Sequence, residues 1–111
     1  MQKLNAKWEN DGCLYMVCSR CFERVLSPEI DSPAAASMAQ TCRMHLKTSL
    51  AQKGLAPKHR AISTSCLGIC PENEIVVSVL NTSSQTTECL SFPKNLSPEE
   101  IGNQVLDSCS C

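Results

Sequence analysis

Cys13-Leu14-Tyr15-Met16-Val17-Cys18-Ser19-Arg20-Cys21 is the stretch around which the rest of the chain can be organised. In its first six residues Tyr15 and Val17 alternate against Leu14 and Met16, so both alternating sets are apolar. That pattern predicts a strand buried on both faces. Cys18 and Cys21 then stand at the carboxyl end of that strand, three residues apart.

Beyond a short segment ending in Ser27-Pro28, Ser32-Pro33 marks a helix start, because serine caps free backbone N–H groups and proline suits the first turn. Met38, Cys42, Leu46 and Leu50 follow at intervals of four and form one apolar stripe, and Lys53-Gly54 supplies the stop. Residues 60–65 read as a weaker strand anchored by Ile62. Cys66-Leu67-Gly68-Ile69-Cys70-Pro71 reads as a compact turn, and the β-branched run 75–80 as the strongest strand. A polar turn at 81–85 leads to a returning strand at 86–92, a hairpin. Ser97-Pro98-Glu99-Glu100 opens a last helix with a capping box, continued by Ile101, Val105 and Leu106. The order is β-α-β-β-β-α, an α/β (α+β) arrangement with helices packed on a single mixed sheet. Residues 1–12 read as a flexible leader, 13–107 as one domain, and 108–111 as a cysteine-containing tail.

Composition bounds the function. The chain of 111 residues carries 10 basic and 11 acidic side chains, which gives no electrostatic case for nucleic acid. Only Trp8, Tyr15, Phe22 and Phe92 are aromatic, so base-stacking platforms are not expected either. Charged and polar residues interrupt everything before Leu14, leaving no signal-peptide core, and no run approaches the ~18 apolar residues of a membrane span. Nine cysteines in so short a chain then point to an intracellular metal or redox site. The expectation is a cytoplasmic protein with mostly reduced thiols and no membrane or nucleic-acid partner.

The order of elements brings the cysteines together. A strand, a helix and a next strand joined in one sheet are normally parallel, so their carboxyl ends share one edge. Cys18 and Cys21 follow the first strand, and Cys66 and Cys70 follow the second. Four thiolates at one place suit zinc or a [2Fe–2S] centre. Gly68 lets the second segment bend so that two thiolates can face one site.

Ser65-Cys66-Leu67-Gly68-Ile69-Cys70-Pro71 and the strand after it resemble the C-L-G-x-C segment of thioredoxin-like [2Fe–2S] ferredoxins. The chain is also similar to small predicted metal-binding proteins that combine C-x-x-C with C-L-G-x-C. The resemblance spans roughly residues 13–107 and implies a thioredoxin-like ferredoxin fold. It further implies a [2Fe–2S] cluster on Cys18, Cys21, Cys66 and Cys70, serving one-electron transfer or a cluster-bearing accessory role with a redox partner protein. A homodimer is left open. Family ferredoxins space their first two ligands more widely than Cys18 and Cys21, so the fourth ligand lies between Cys21, Cys42 and Cys13.

Two other readings of the same thiols stand beside it. One is a structural zinc protein. The other is a thioredoxin-like thiol oxidoreductase using Cys18 and Cys21, which requires that pair to open a long helix and a proline immediately before the third strand. The prolines at 28 and 33 and the missing proline speak against it, and an electron carrier or metal-binding module is expected rather than an enzyme. Cys42 on the apolar stripe, Cys89 in mid-strand and Cys13 read as packing residues. Cys109 and Cys111 form a terminal C-x-C with no role in the fold, and His45 and His59 read as solvent-facing.

Overall fold

The computed structural model describes residues 1–6, 11–26, 29–69 and 71–108. The elements run β1 (Cys13–Cys18), α1 (Ser19–Leu26), α2 (Ser32–Gln52), β2 (Arg60–Thr64), β3 (Glu74–Asn81), β4 (Thr86–Pro93) and α3 (Pro98–Ser108). They form a small α+β domain with one mixed sheet in the order β2-β1-β3-β4. β1 runs parallel to β2, with Cys18 level with Thr64, and antiparallel to β3, with Val17 level with Val77. β3 and β4 form the expected hairpin. Among the described residues no helix is long and apolar enough to cross a membrane.

β1 and β3 are the central strands, and their sequences show it: Tyr15, Val17, Ile75, Val76, Val77 and Val79 are all buried. α2 packs on β1 and β2, α1 packs on β3 and beside α2, and α3 lies along α2. The stripe on α2 is realised by Ala35, Ala39, Cys42, Leu46 and Leu50, with Met38 at its margin. Gly102 of α3 lies so close to α2 that a Cβ there would meet the His45 ring at 2.8 Å. His45 therefore packs in the α2–α3 contact and bonds Asn103 at 2.7 Å, where an exposed position was expected.

Three local expectations need correction. α1 was not foreseen; eight residues are too few to form a stable helix in isolation, and burial of Cys21, Phe22, Val25 and Leu26 holds it. The cap of α2 is Asp31, whose carboxylate accepts the Ala34 N–H at 2.8 Å, and Ser32 is already helical. Residues 11 and 12, expected within a flexible leader, are tied down. The Gly12 carbonyl accepts the Thr82 hydroxyl at 2.7 Å and its N–H at 3.0 Å, and Asp11 pairs with Lys58 at 2.5 Å. At the other end, α3 runs through Ser108, and Ser97 caps it as read, accepting the Glu100 N–H at 3.1 Å.

Candidate metal centre

The sheet order explains how the cysteine segments meet. β2 and β3 lie on either side of β1, so the connection from the end of β2 to the start of β3 must cross the end of β1. That connection contains Cys66 and Cys70, and the end of β1 carries Cys18 and Cys21. Hydrogen bonds tie the segments together: the Ser19 hydroxyl donates to the Thr64 carbonyl at 2.9 Å, and the Arg20 N–H to the Ser65 carbonyl at 3.3 Å. The Cys18 thiol lies 4.0 Å from the same Ser65 carbonyl.

Cys18 immediately precedes α1 and Cys21 is its third residue, so the pair does open a helix, a short one. Both are free thiols, 1% and 2% exposed. Burial pushes the Cys18 thiol above its ordinary range and the neighbouring Cys21 thiol adds to this, while backbone amides of Cys21 and Leu67 act against it.

Cys66 is exposed, and its sulfur accepts the Gly68 N–H at 3.3 Å. Gly68 has φ +75, a left-handed conformation that side chains disfavour, and this turns its amide back onto the sulfur. Arg24 was missed by the sequence reading because its contacts depend on α1 and on residues far along the chain. Its Nη2 donates to the Pro71 carbonyl at 3.0 Å and lies 3.9 Å from Cys21 Sγ. It thereby links α1 to the backbone just beyond position 70. The spacing of Cys21, Phe22, Val25 and Leu26 on one helical face was the signal that could have revealed α1 and with it Arg24.

The expected set is therefore brought together in part. Cys18 and Cys21 are adjacent, and Cys66 stands exposed on the adjoining segment. Among the described residues no group of three or more His, Cys, Asp or Glu side chains is arranged to hold a metal ion, and Cys70 lies outside them.

The other cysteines lie elsewhere. Cys42 is fully buried on the core stripe, its thiol pushed up to about 12 first by burial and then by the Glu99 carboxylate, which suits packing and not ligation. Cys13 stands at the opposite end of β1 and is disulfide-bonded, a partnership that the expectation of mostly reduced thiols did not include; it is no ligand in that state. Cys89 is exposed, not packed as expected, and accepts the Ser78 hydroxyl at 3.4 Å. The terminal C-x-C, Cys109 and Cys111, lies outside the described residues. Compared with family models, curated proteins and solved structures, the chain matches none.

Proposed function

We propose that Cys18, Cys21, Cys66 and Cys70 hold a [2Fe–2S] cluster, and that the protein is a ferredoxin-like electron carrier or cluster-bearing accessory module in the cytoplasm. The observation that carries the reading is the pair of buried free thiols Cys18 and Cys21 at the end of β1, joined to the segment that bears Cys66 by the Ser19–Thr64 and Arg20–Ser65 hydrogen bonds. Thiolates gathered at one place are soft ligands that suit a cluster or zinc. The order β2-β1-β3-β4, with β1 parallel to β2 and antiparallel to β3, supports a thioredoxin-like ferredoxin fold.

When bound, the cluster supplies one-electron chemistry at a potential tuned by hydrogen bonds to sulfur and by solvent access. The chain's own residues provide both controls. Phe22, Val25 and Leu26 bury α1 and exclude water behind Cys21. The Gly68 amide bonds the Cys66 sulfur, and Arg24 brings a positive charge beside Cys21. Cys66, exposed in this structure, would have to turn inward to join Cys18 and Cys21 as a ligand, and the neighbouring Gly68 adopts φ +75.

A thiol oxidoreductase is disfavoured although the pair opens a helix: an attacking thiol needs exposure and a lowered pKa, and Cys18 has neither. Protein purified or reconstituted without air should carry two irons and two acid-labile sulfides per chain and be brown. A colourless protein with one zinc and no sulfide after reconstitution would replace this reading with a structural zinc site on the same thiolates.

A further inference from the structure

One polar atom beside the cysteines has no partner. Thr64 Oγ1, at the end of β2, is buried and makes no hydrogen bond. The strand itself shows which way it faces. The Ser63 hydroxyl accepts the side-chain amide of Gln40 on α2 at 3.2 Å, so Ser63 stands on the face that α2 covers and Thr64 on the other. Among the described residues β2 is an edge strand paired with β1, and Cys18 is the residue level with Thr64. Level side chains of adjacent strands share a face, so this hydroxyl and the Cys18 sulfur are neighbours. The Thr64 carbonyl accepts the Ser19 hydroxyl at 2.9 Å, which fixes the end of β2 beside the end of β1.

A hydroxyl and a sulfur placed in this way do bond elsewhere in the sheet. Ser78 and Cys89 are level in β3 and β4, and the Ser78 hydroxyl donates to the Cys89 sulfur at 3.4 Å. At Cys18 the thiol instead directs its own hydrogen toward the Ser65 carbonyl, 4.0 Å away. Binding a metal releases that hydrogen and leaves a thiolate, a charged acceptor that takes stronger hydrogen bonds than a thiol. Thr64 Oγ1 is the unpaired donor at hand. Because it is buried, water does not satisfy it, and its partner has to be an atom already beside it in the fold. The next level pair on that face, Met16 and Ile62, offers only a thioether, a weak acceptor.

We infer that, with Cys18 bound to the proposed cluster, the Thr64 hydroxyl donates to its sulfur and raises the reduction potential. A donor on a ligand sulfur draws off electron density, which favours the reduced and more negative state. Thr64 touches the ligand and not the iron, so it tunes the site without being needed to assemble it. Serine keeps the hydroxyl, and valine, alike in shape, removes it.

The test compares wild type, Thr64→Val and Thr64→Ser, each reconstituted with iron and sulfide without air and titrated by visible spectroscopy against dyes of known potential. Iron and sulfide contents should be equal in the three. Thr64→Val should favour the oxidised state about fivefold more, a potential lower by about 41 mV at ~59 mV per tenfold for one electron, and Thr64→Ser should stay with wild type. In metal-free protein the urea midpoint of Thr64→Val should match or exceed that of wild type, because the hydroxyl it removes is unpaired there. An equal or higher potential in Thr64→Val, or the same fall in Thr64→Ser, would overturn the inference while leaving the cluster in place. Loss of the cluster from Thr64→Val would make the residue structural and overturn its tuning role. A lower midpoint in metal-free Thr64→Val would show the hydroxyl to be paired already, with the same consequence. Wild type that takes up no iron and sulfide would instead overturn the cluster reading, and this role of Thr64 with it.

Discussion

Replacing Phe22 with alanine tests the element that positions Cys21. Phe22 is fully buried in α1, between Cys21 and the Val25–Leu26 pair that shares its face. Truncating such a ring removes its transfer free energy and leaves a cavity, together ~3–5 kcal/mol. At a urea slope of ~2 kcal/mol/M, a loss of about 4 kcal/mol lowers the midpoint by about 2 M with the slope unchanged. In heat, unfolding entropy for a chain this size gives about 0.23 kcal/mol per degree, hence a fall of roughly 17 °C. The measurement is urea unfolding of metal-free, reduced protein by circular dichroism, beside Glu23→Ala on the outer side of the same helix. Glu23→Ala should stay within ~0.5 kcal/mol of wild type, as surface changes usually do. A Phe22→Ala midpoint within about 0.3 M of wild type would mean that residues 19–26 do not bury this ring. The geometry around Cys21 would then be wrong, and with it the main support for the metal reading.

Serine at Cys18, Cys21, Cys66 or Cys70 should abolish or alter the visible spectrum of reconstituted protein. Serine at Cys42, Cys89, Cys109 or Cys111 should leave it unchanged, and loss of the spectrum in Cys42→Ser but not Cys21→Ser would move the fourth ligand onto α2. Leu46→Ala should destabilise the metal-free fold by ~2–5 kcal/mol, because that side chain is fully buried, and should weaken cluster retention; an unchanged denaturation midpoint refutes this. Cys42 makes stability depend on pH at the alkaline end. Its thiol is raised in the fold from 9.0 to about 12, so its contribution is complete below pH 9 and lost as pH rises from there toward 12. Wild type should lose up to about 1.4 kcal/mol per pH unit more than Cys42→Ala over that range, and parallel pH profiles by urea unfolding would contradict it. In metal-free protein iodoacetamide should label exposed Cys66 well before buried Cys18, and equal rates by mass spectrometry would show that Cys18 is accessible.

What local pattern can encode was legible in the chain. β1 and β3 declare themselves through apolar and β-branched runs that burial rewards regardless of what covers them, and β4, mostly exposed, through the polar turn that returns it beside β3. α3 shows its own start, because Ser97 and Glu100 meet within one turn. That the Cys66 segment comes to the end of β1 was readable too, since two parallel strands end at one edge of the sheet; the position of β1 between β2 and β3 came only from the structure. The tertiary structure alone decided α1, whose eight residues are helical because Phe22, Val25 and Leu26 find a core. It also decided the environment of each thiol. Cys18 ends β1 and Cys66 follows β2, yet one is buried and the other exposed, because α1 and the loop after β2 close over the first and leave the second outside. Arg24 reaches the carbonyl of Pro71, 47 residues away. No spacing rule anticipates that contact, because the distance between two such groups is set by the packing of the elements that carry them, not by the residues between.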